Sequence, residues 1–288
     1  MTEPGFFQSV QLTDLTLRVA DLAQVQAFYQ DVLGFAPVEA APGTVTLAPP
    51  GAPVALLVLL AAPDAPPRPR GAAGLFHVAF LYPDRTALAR VLQKLLELGV
   101  PIGSADHGVS DAIYLSDPEG NGIELYADRP PETWPPRGPD GQVTMYTEAL
   151  DLSAVLALAH QRGPILPAAT RIGHVHLSVA DLGHAERFYG EALGFTVTQR
   201  SYPGALFLGR DGYHHHVGAN IWRSRQAAVP GTLGLVEFTV RVSHREEFAR
   251  ITKRLEDAGR LREASGDVAT ARDLDEMVVR LVHHSGRV

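Results

Sequence analysis

A gapless internal repeat constrains this chain more than any other feature. Asp14 to Phe35 reads DLTLRVADLAQVQAFYQDVLGF, and His174 to Phe195 reads HVHLSVADLGHAERFYGEALGF, an offset of 160 residues. Two halves of the chain therefore derive from one ancestral segment and must fold alike. Each begins with an alternating apolar run (Leu15, Leu17, Val19; Val175, Leu177, Val179), the period of a strand with one buried face. A helix should follow. Asp21 and Asp181 stand at the N-cap, Val25, Phe28, Tyr29, Val32 and Leu33 recur at helical spacing, and Gly34 and Gly194 close it. Strand-like segments complete each copy: GTVTLAP and APVALLVLL in one, GALFLGR and HHVGANIW in the other.

A weaker form recurs inside each half. The second copy starts at Leu75 with LFHVAFLYPD, continues through the helix DRTALARVLQKLLELGV and ends in AIYLSD and NGIELYAD. The fourth has LGLVEFTVRV from Leu233, then the helix REEFARITKRLEDAG and the strand MVVRLVHH. The fold expected is α+β, with four βαβββ copies. A domain at 9–130 holds the first two and a domain at 171–285 the last two. Residues 131–170, with the Pro- and Gly-rich run DRPPETWPPRGPDGQ and a helix from Leu152 to Gln161, form the linker.

At 288 residues each half can bury its own core, so no staple is needed for folding. Cysteine is absent, which removes disulfides and thiolate chemistry. A net charge of −7 without clustered Lys and Arg argues against nucleic acid. No run approaches the ~18 apolar residues of a membrane span, and MTEPGFFQSVQLTD lacks a secretory pattern, so a cytoplasmic location is expected. Twelve histidines in a chain with no cysteine direct attention to nitrogen and oxygen ligands.

Aligning the four first strands places Asp14, His77, His174 and Glu237 at one equivalent position. A single such histidine is usually a hydrogen-bonded core residue, but four polar residues in register in apolar strands are hard to explain by packing. In the last strand of the second copy Glu124 stands between Ile123 and Leu125, costly to bury unless paired or ligated. The fourth copy has Arg280 there, which cannot ligate a metal.

The repeated [VI]xDLxxxxxFYxxxLGF pattern and the segment DPEGNGIELYAD resemble the vicinal oxygen chelate superfamily of glyoxalases, bleomycin-resistance proteins and extradiol ring-cleaving dioxygenases. HGVSDAIYLSDPEGNGIELYADRP and GYHHHVGANIW are most similar to the two-half bacterial catechol 2,3-dioxygenases. The resemblance implies curved-sheet domains, each a half-barrel pair, and a two-His, one-carboxylate site on Fe(II), with Mn(II) or another divalent metal as an alternative. The pairing expected is of the second copy with the third, which makes His174, His77 and Glu124 the ligands and leaves Asp14, Glu237 and Arg280 as a structural charge cluster. The alternative, pairing within halves, puts Asp14 in place of His174.

The resemblance further implies an acid–base histidine within the run Tyr213 to Gly218. His215 is the match, although alternation puts His214 and His216 on one face, and a glyoxalase-like arrangement would make His216 a fourth ligand. Tyr114, ten residues before Glu124, and His107 in HGVS match residues that assist substrate or oxygen. Asn220 and Trp222 are candidates for the pocket wall. The implied activity is extradiol cleavage of a catechol-like aromatic with O2. A glyoxalase-type lyase, isomerase or thiol transferase, and a metal-free binding protein, are the other functions this superfamily supports. Facing copies can also come from separate chains, so a homodimer is an open expectation.

Overall fold

A computed structural model describes residues 9–160 and 162–283. The first copy runs β1 (Val10–Val19), α1 (Leu22–Ala27), β2 (Ala36–Ala41), β3 (Thr44–Ala48) and β4 (Leu57–Ala61). The second runs β5 (Gly74–Leu81), α2 (Arg85–Glu97), β6 (Gly103–Asp106), β7 (Ser110–Ser116) and β8 (Gly122–Asp128). After the connecting helix α3 (Leu152–Leu156), the third has β9 (Arg171–Ser178), α4 (Leu182–Ala185), β10 (Thr196–Gln199), β11 (Ala205–Gly209) and β12 (Val217–Asn220). The fourth has β13 (Gly234–Val242), α5 (Arg245–Asp257), β14 (Leu261–Ser265), β15 (Val268–Arg272) and β16 (Val278–His283). Four βαβββ copies are thus present, in an α+β fold with mixed sheets.

The expected caps are where the sequence puts them. Asp21 accepts from the Gln24 amide at 2.9 Å and Asp181 from the His184 amide at 3.1 Å, while Gly34 and Gly194 close the helices at φ 84° and 83°. The helices themselves depart from expectation. Both α1 and α4 pass into π-helical stretches, Phe28–Val32 and Glu186–Ala192, which the 3.6-residue period does not reveal. The connecting helix is shorter than predicted. Beyond Leu156 the amides of Leu158 and Ala159 bond three residues back, tightening into turns, and Gln161 lies outside the described residues.

Contacts gather the chain into two compact units. One comprises the chain up to Arg18, Ala65–Phe76 and His174 onward; the other comprises Val19–Asp64 and His77–Gly173. This partition cuts across the sequence halves, because β1 of the first copy pairs antiparallel with β13 of the fourth, from Val10↔Val242 to Arg18↔Gly234. In that first compact unit the strand paths are β14-β15-β16-β13-β1 and β10-β11-β12-β9. In the other they are β6-β7-β8-β5 and β2-β3-β4, and none of these paths closes on itself. Gly173, at the start of β9, lies so close to Leu81 and Tyr126 that an added Cβ would strike the Tyr126 hydroxyl. The third copy's first strand therefore begins against the second copy.

Each unit has its own core. Tyr29, Phe35 and Phe80 meet edge to face at 5.7 and 5.2 Å, over Leu88, Val91, Leu92 and Leu95 of α2, all fully buried. Spaced at helical intervals, each of those four contributes roughly 2 kcal/mol gross to packing α2 on its sheet. In the other unit Tyr189 and Phe238 stack over Phe248, Ile251 and Leu255 of α5. Among the described residues no helix is long and apolar enough to cross a membrane.

One recurring turn sets the strands that matter for function. In SDPEGNG, Asp117 Oδ1 accepts from the Glu119 and Asn121 amides at 2.9 Å, turning the chain into β8. Asp273 does the same for β16, accepting from the Asp275 and Met277 amides at 2.9 Å. Each turn also grips the preceding copy's helix start: Glu119 accepts from the Ala20 and Asp21 amides, and Asp275 from the Ala180 amide.

Candidate metal centre

The parallel register of β5 and β8 brings the first two candidate ligands together. Ala79 is the register partner of Glu124, and His77 lies two residues before Ala79, so both functional side chains leave the same face. His77 Nε2 lies 2.9 Å from Glu124 Oε2, with the residues 6% and 3% exposed. His174, on β9 and 2% exposed, completes a group whose ligand atoms all lie within 4.8 Å of one another. The border of the compact units falls inside β5 and β9, immediately before His77 and His174, and both strands are continuous across it. It is the one such group among the described residues, and the expected set of His77, Glu124 and His174 is the one that converges.

The donor chemistry suits a divalent cation. A carboxylate this buried needs a compensating positive charge, and two imidazoles beside it supply neutral nitrogen donors rather than a permanent counter-charge. Two imidazoles with one carboxylate form the facial set that leaves coordination positions open on a first-row metal.

Asp14 does not join this group. Its carboxylate accepts from Thr239 Oγ1 at 3.0 Å and Thr13 Oγ1 at 2.8 Å. Glu237, which faces both Asp14 and Arg280, has its pKa raised, chiefly by burial, with Asp14 adding to the rise and Arg280 opposing it. Thr239 is the partner of Arg280 in the β13–β16 register, so Arg280 occupies the counterpart of Glu124. The first and fourth copies thus hold the charge cluster that their residue types imply.

The histidine run is arranged differently from an alternating strand. β12 starts only at Val217, so His214, His215 and His216 lie in the irregular segment before it, where period-two reasoning fails. His215 lies with its ring centre 4.1 Å from that of His174, and its Nδ1 is 2.8 Å from His214 Nδ1. His216 is elsewhere. Its ring packs on Phe195 and Tyr213, and its Nδ1 accepts from the Arg210 amide at 3.3 Å. The register explains why it is outside the metal group: His176 pairs with Gly218, as Ala79 pairs with Glu124, so the third copy's counterpart of Glu124 is Gly218.

Tyr114 and His107 are joined. His107 Nδ1 must donate to the Tyr146 carbonyl at 2.7 Å, because a carbonyl only accepts. In the neutral ring Nε2 is then the acceptor, and the Tyr114 hydroxyl donates to it at 2.6 Å. The Tyr114 ring centre is 5.7 Å from that of His77.

Sequence reasoning passed over His176. It shares a face of β9 with His174 and is held among Phe76, Trp222 and Phe207, at ring-centre distances of 5.3, 5.6 and 5.8 Å. A Cβ on Gly218 would approach its ring to 2.9 Å, so the glycine makes its room. The signal was available in HVHLS, where two histidines alternate on one strand face. Trp222 packs beside the His176 ring and donates from Nε1 to the Pro203 carbonyl, whereas Asn220 is fully buried and accepts from the Trp222 amide at 3.3 Å.

The family model described as Glyoxalase/Bleomycin resistance protein/Dioxygenase superfamily matches residues 11–125 and 171–277. The chain is 43% identical over 249 residues to a Bacillus subtilis (strain 168) protein named catechol-2,3-dioxygenase, covering 84% of this chain and 86% of that one. A shorter match, 38% over 74 residues, joins 25% of this chain to 39% of biphenyl-2,3-diol 1,2-dioxygenase 2 from Rhodococcus globerulus. Among solved structures, glyoxalase I from Zea mays shares the fold with a TM-score of 0.58 at 16% identity, over 96% of this chain and 92% of its own. The cppA protein of Streptococcus pneumoniae TIGR4 does so with a TM-score of 0.60 at 12% identity, over 95% and 100%.

Proposed function

From the premise that this chain belongs to the glyoxalase/bleomycin resistance protein/dioxygenase superfamily, we propose that it is an extradiol dioxygenase that cleaves a catechol-like ring with O2 on Fe(II). The observation that carries this reading is the convergence of two buried imidazoles and one buried carboxylate, His77, His174 and Glu124. The 43% identity to a catechol-2,3-dioxygenase supports the reaction class. His77, His174 and Glu124 would hold the ion, which when bound supplies positive charge to a chelated catecholate and open positions for substrate and O2.

The remaining chemistry belongs to the chain. In this reading His215, whose ring lies beside that of His174, takes a phenolic proton on Nε2 and returns it as the ring opens. Its Nδ1 faces His214 Nδ1 at 2.8 Å, a contact that holds one proton between the two rings and so fixes the orientation of His215. Tyr114 directs its hydroxyl proton toward His107 Nε2, which fixes its ring, 5.7 Å from that of His77 between centres. In this reading the aromatic cluster of Phe76, His176 and Trp222 shields the substrate ring from water.

The test is reconstitution with Fe(II) under anaerobic conditions, followed by a panel of catechols and air. One O2 should be consumed per ring, with a yellow ring-opened product. His77→Ala and His174→Ala should each abolish iron retention. His215→Gln should retain iron yet lose roughly 100-fold or more in kcat, the usual contribution of a positioned acid–base group. No oxygen uptake on any catechol, with iron stoichiometrically bound, would overturn the assignment.

A further inference from the structure

The face that carries the candidate metal ligands in the second and third copies has a counterpart in the first and fourth, with different residue types. On β1 the residues Thr16 and Arg18 alternate onto one side, with Glu237 of β13 the register partner of Thr16, and on β16 Val278 and Arg280 alternate likewise. Next to the Asp14–Glu237 cluster, a cavity of about 150 Å³ opens on this face. Its charged lining is Arg18, Arg68, Arg272 and Glu276, and its apolar wall includes Leu235 and Met277.

The guanidinium groups are held in place. Arg18 Nη1 donates to the Thr232 carbonyl at 3.0 Å, and Arg68 Nη1 to the Leu75 carbonyl at 2.8 Å. Two glycines that open equivalent strands, in GLFH and GLVE, lie against these arginines. A Cβ on Gly74 would sit 2.3 Å from Arg68 Nη1, and Gly234 is the register partner of Arg18. The single lining carboxylate does not balance the arginines. Glu276 lies 3.4 Å from Arg272 and is also shared with Arg260 and Arg262 at 4.0 and 3.9 Å. Among the described residues no carboxylate forms an ion pair with Arg18 or Arg68. In a chain of net charge −7, three guanidinium groups thus line one small, partly apolar cavity.

We propose that this cavity is a second binding site, for a small organic carboxylate whose charge meets Arg18 and Arg68 and whose short apolar body lies along Leu235 and Met277. Guanidinium forks match a carboxylate in geometry as well as in charge. A cavity of this size, with one apolar wall, suits a short-chain acid.

Calorimetric titration of the full, iron-loaded protein with butyrate decides it, with n-butanol and sulfate as controls. Butyrate should bind one per chain and n-butanol should not. Sulfate should bind more weakly, since it leaves the apolar wall unused. Arg68→Gln should weaken butyrate at least tenfold, and Arg68→Lys less. Val229→Glu, on the exposed rim, keeps the fold and should reduce binding by placing a carboxylate among the arginines. Absence of saturable butyrate binding, equal binding in Arg68→Gln and Val229→Glu, or sulfate as tight as butyrate would each overturn the proposal. Iron content in the same samples, unchanged throughout, separates this site from the metal centre.

Discussion

Gly218 and Glu124 occupy one register position in two copies, and the difference between them accounts for much of the asymmetry of the site. Where the second copy places a carboxylate, the third places no side chain, and the ring of His176 takes the space. Gly218→Ala should therefore displace His176 without touching a metal ligand. The expected result is normal iron content, a KM for catechol raised about tenfold, equivalent to ~1.4 kcal/mol, and a kcat lowered less. Steady-state kinetics with parallel iron analysis checks it. At this scale the sequence was most legible where polar residues interrupt apolar strands: His77, His174 and Glu124 stand out because burial makes them expensive. The direction of His216 was not legible, because the loop before β12 does not alternate, and a loop's side-chain directions are set by backbone turns that no periodicity encodes.

The turns before β8 and β16 are the elements on which both faces depend, and they rest on buried aspartates. Asp273, 2% exposed, has its pKa raised to about 6, first by burial, with Asp275 adding to the rise and the Tyr189 hydroxyl and two amides opposing it. A carboxyl whose folded-state pKa exceeds its unfolded value binds more protons in the native state. Its cost to stability is therefore absent below the unfolded pKa near 4, grows as pH rises toward 6, and is fully present above that. The two-unit shift corresponds to at most about 3 kcal/mol. Asp273→Asn, which keeps an acceptor for the Asp275 and Met277 amides, should flatten the fall in unfolding free energy between pH 4 and 6. Urea unfolding across that range measures it. The strands and caps of these elements followed from alternation and from Asp at the N-caps. The π-helical stretches did not, because their extra residue per turn depends on how Phe188 and Tyr189 seat in a core assembled from distant strands.

For the molecule as a whole, a metal held as proposed should act as a fold ligand, since the three candidate donors lie on β5, β8 and β9. Fe(II) at about 100 times its Kd should stabilise the native state by ~2.7 kcal/mol, a rise in Tm of roughly 4–5 °C for a protein of this size. Glu124→Gln should lose most of that rise while leaving the metal-free Tm within a few degrees. Anaerobic differential scanning calorimetry, with and without iron, reads both. The four copies were legible from the repeat alone; that β1 lies beside β13 was not, because a strand's own residues specify its faces and say little about which strand lies beside it. The pairing of β1 with β13 also bears on how the chain is made. Val10 emerges early, and its partner Val242 follows more than two hundred residues later, so at ~5–20 residues per second β1 waits roughly 10–50 s for its neighbour. During that interval an edge bearing Leu12, Leu15, Leu17 and Val19 is unpaired on the nascent chain. Recombinant yield should consequently depend on translation rate and chaperone supply more than the stability of the finished protein would suggest.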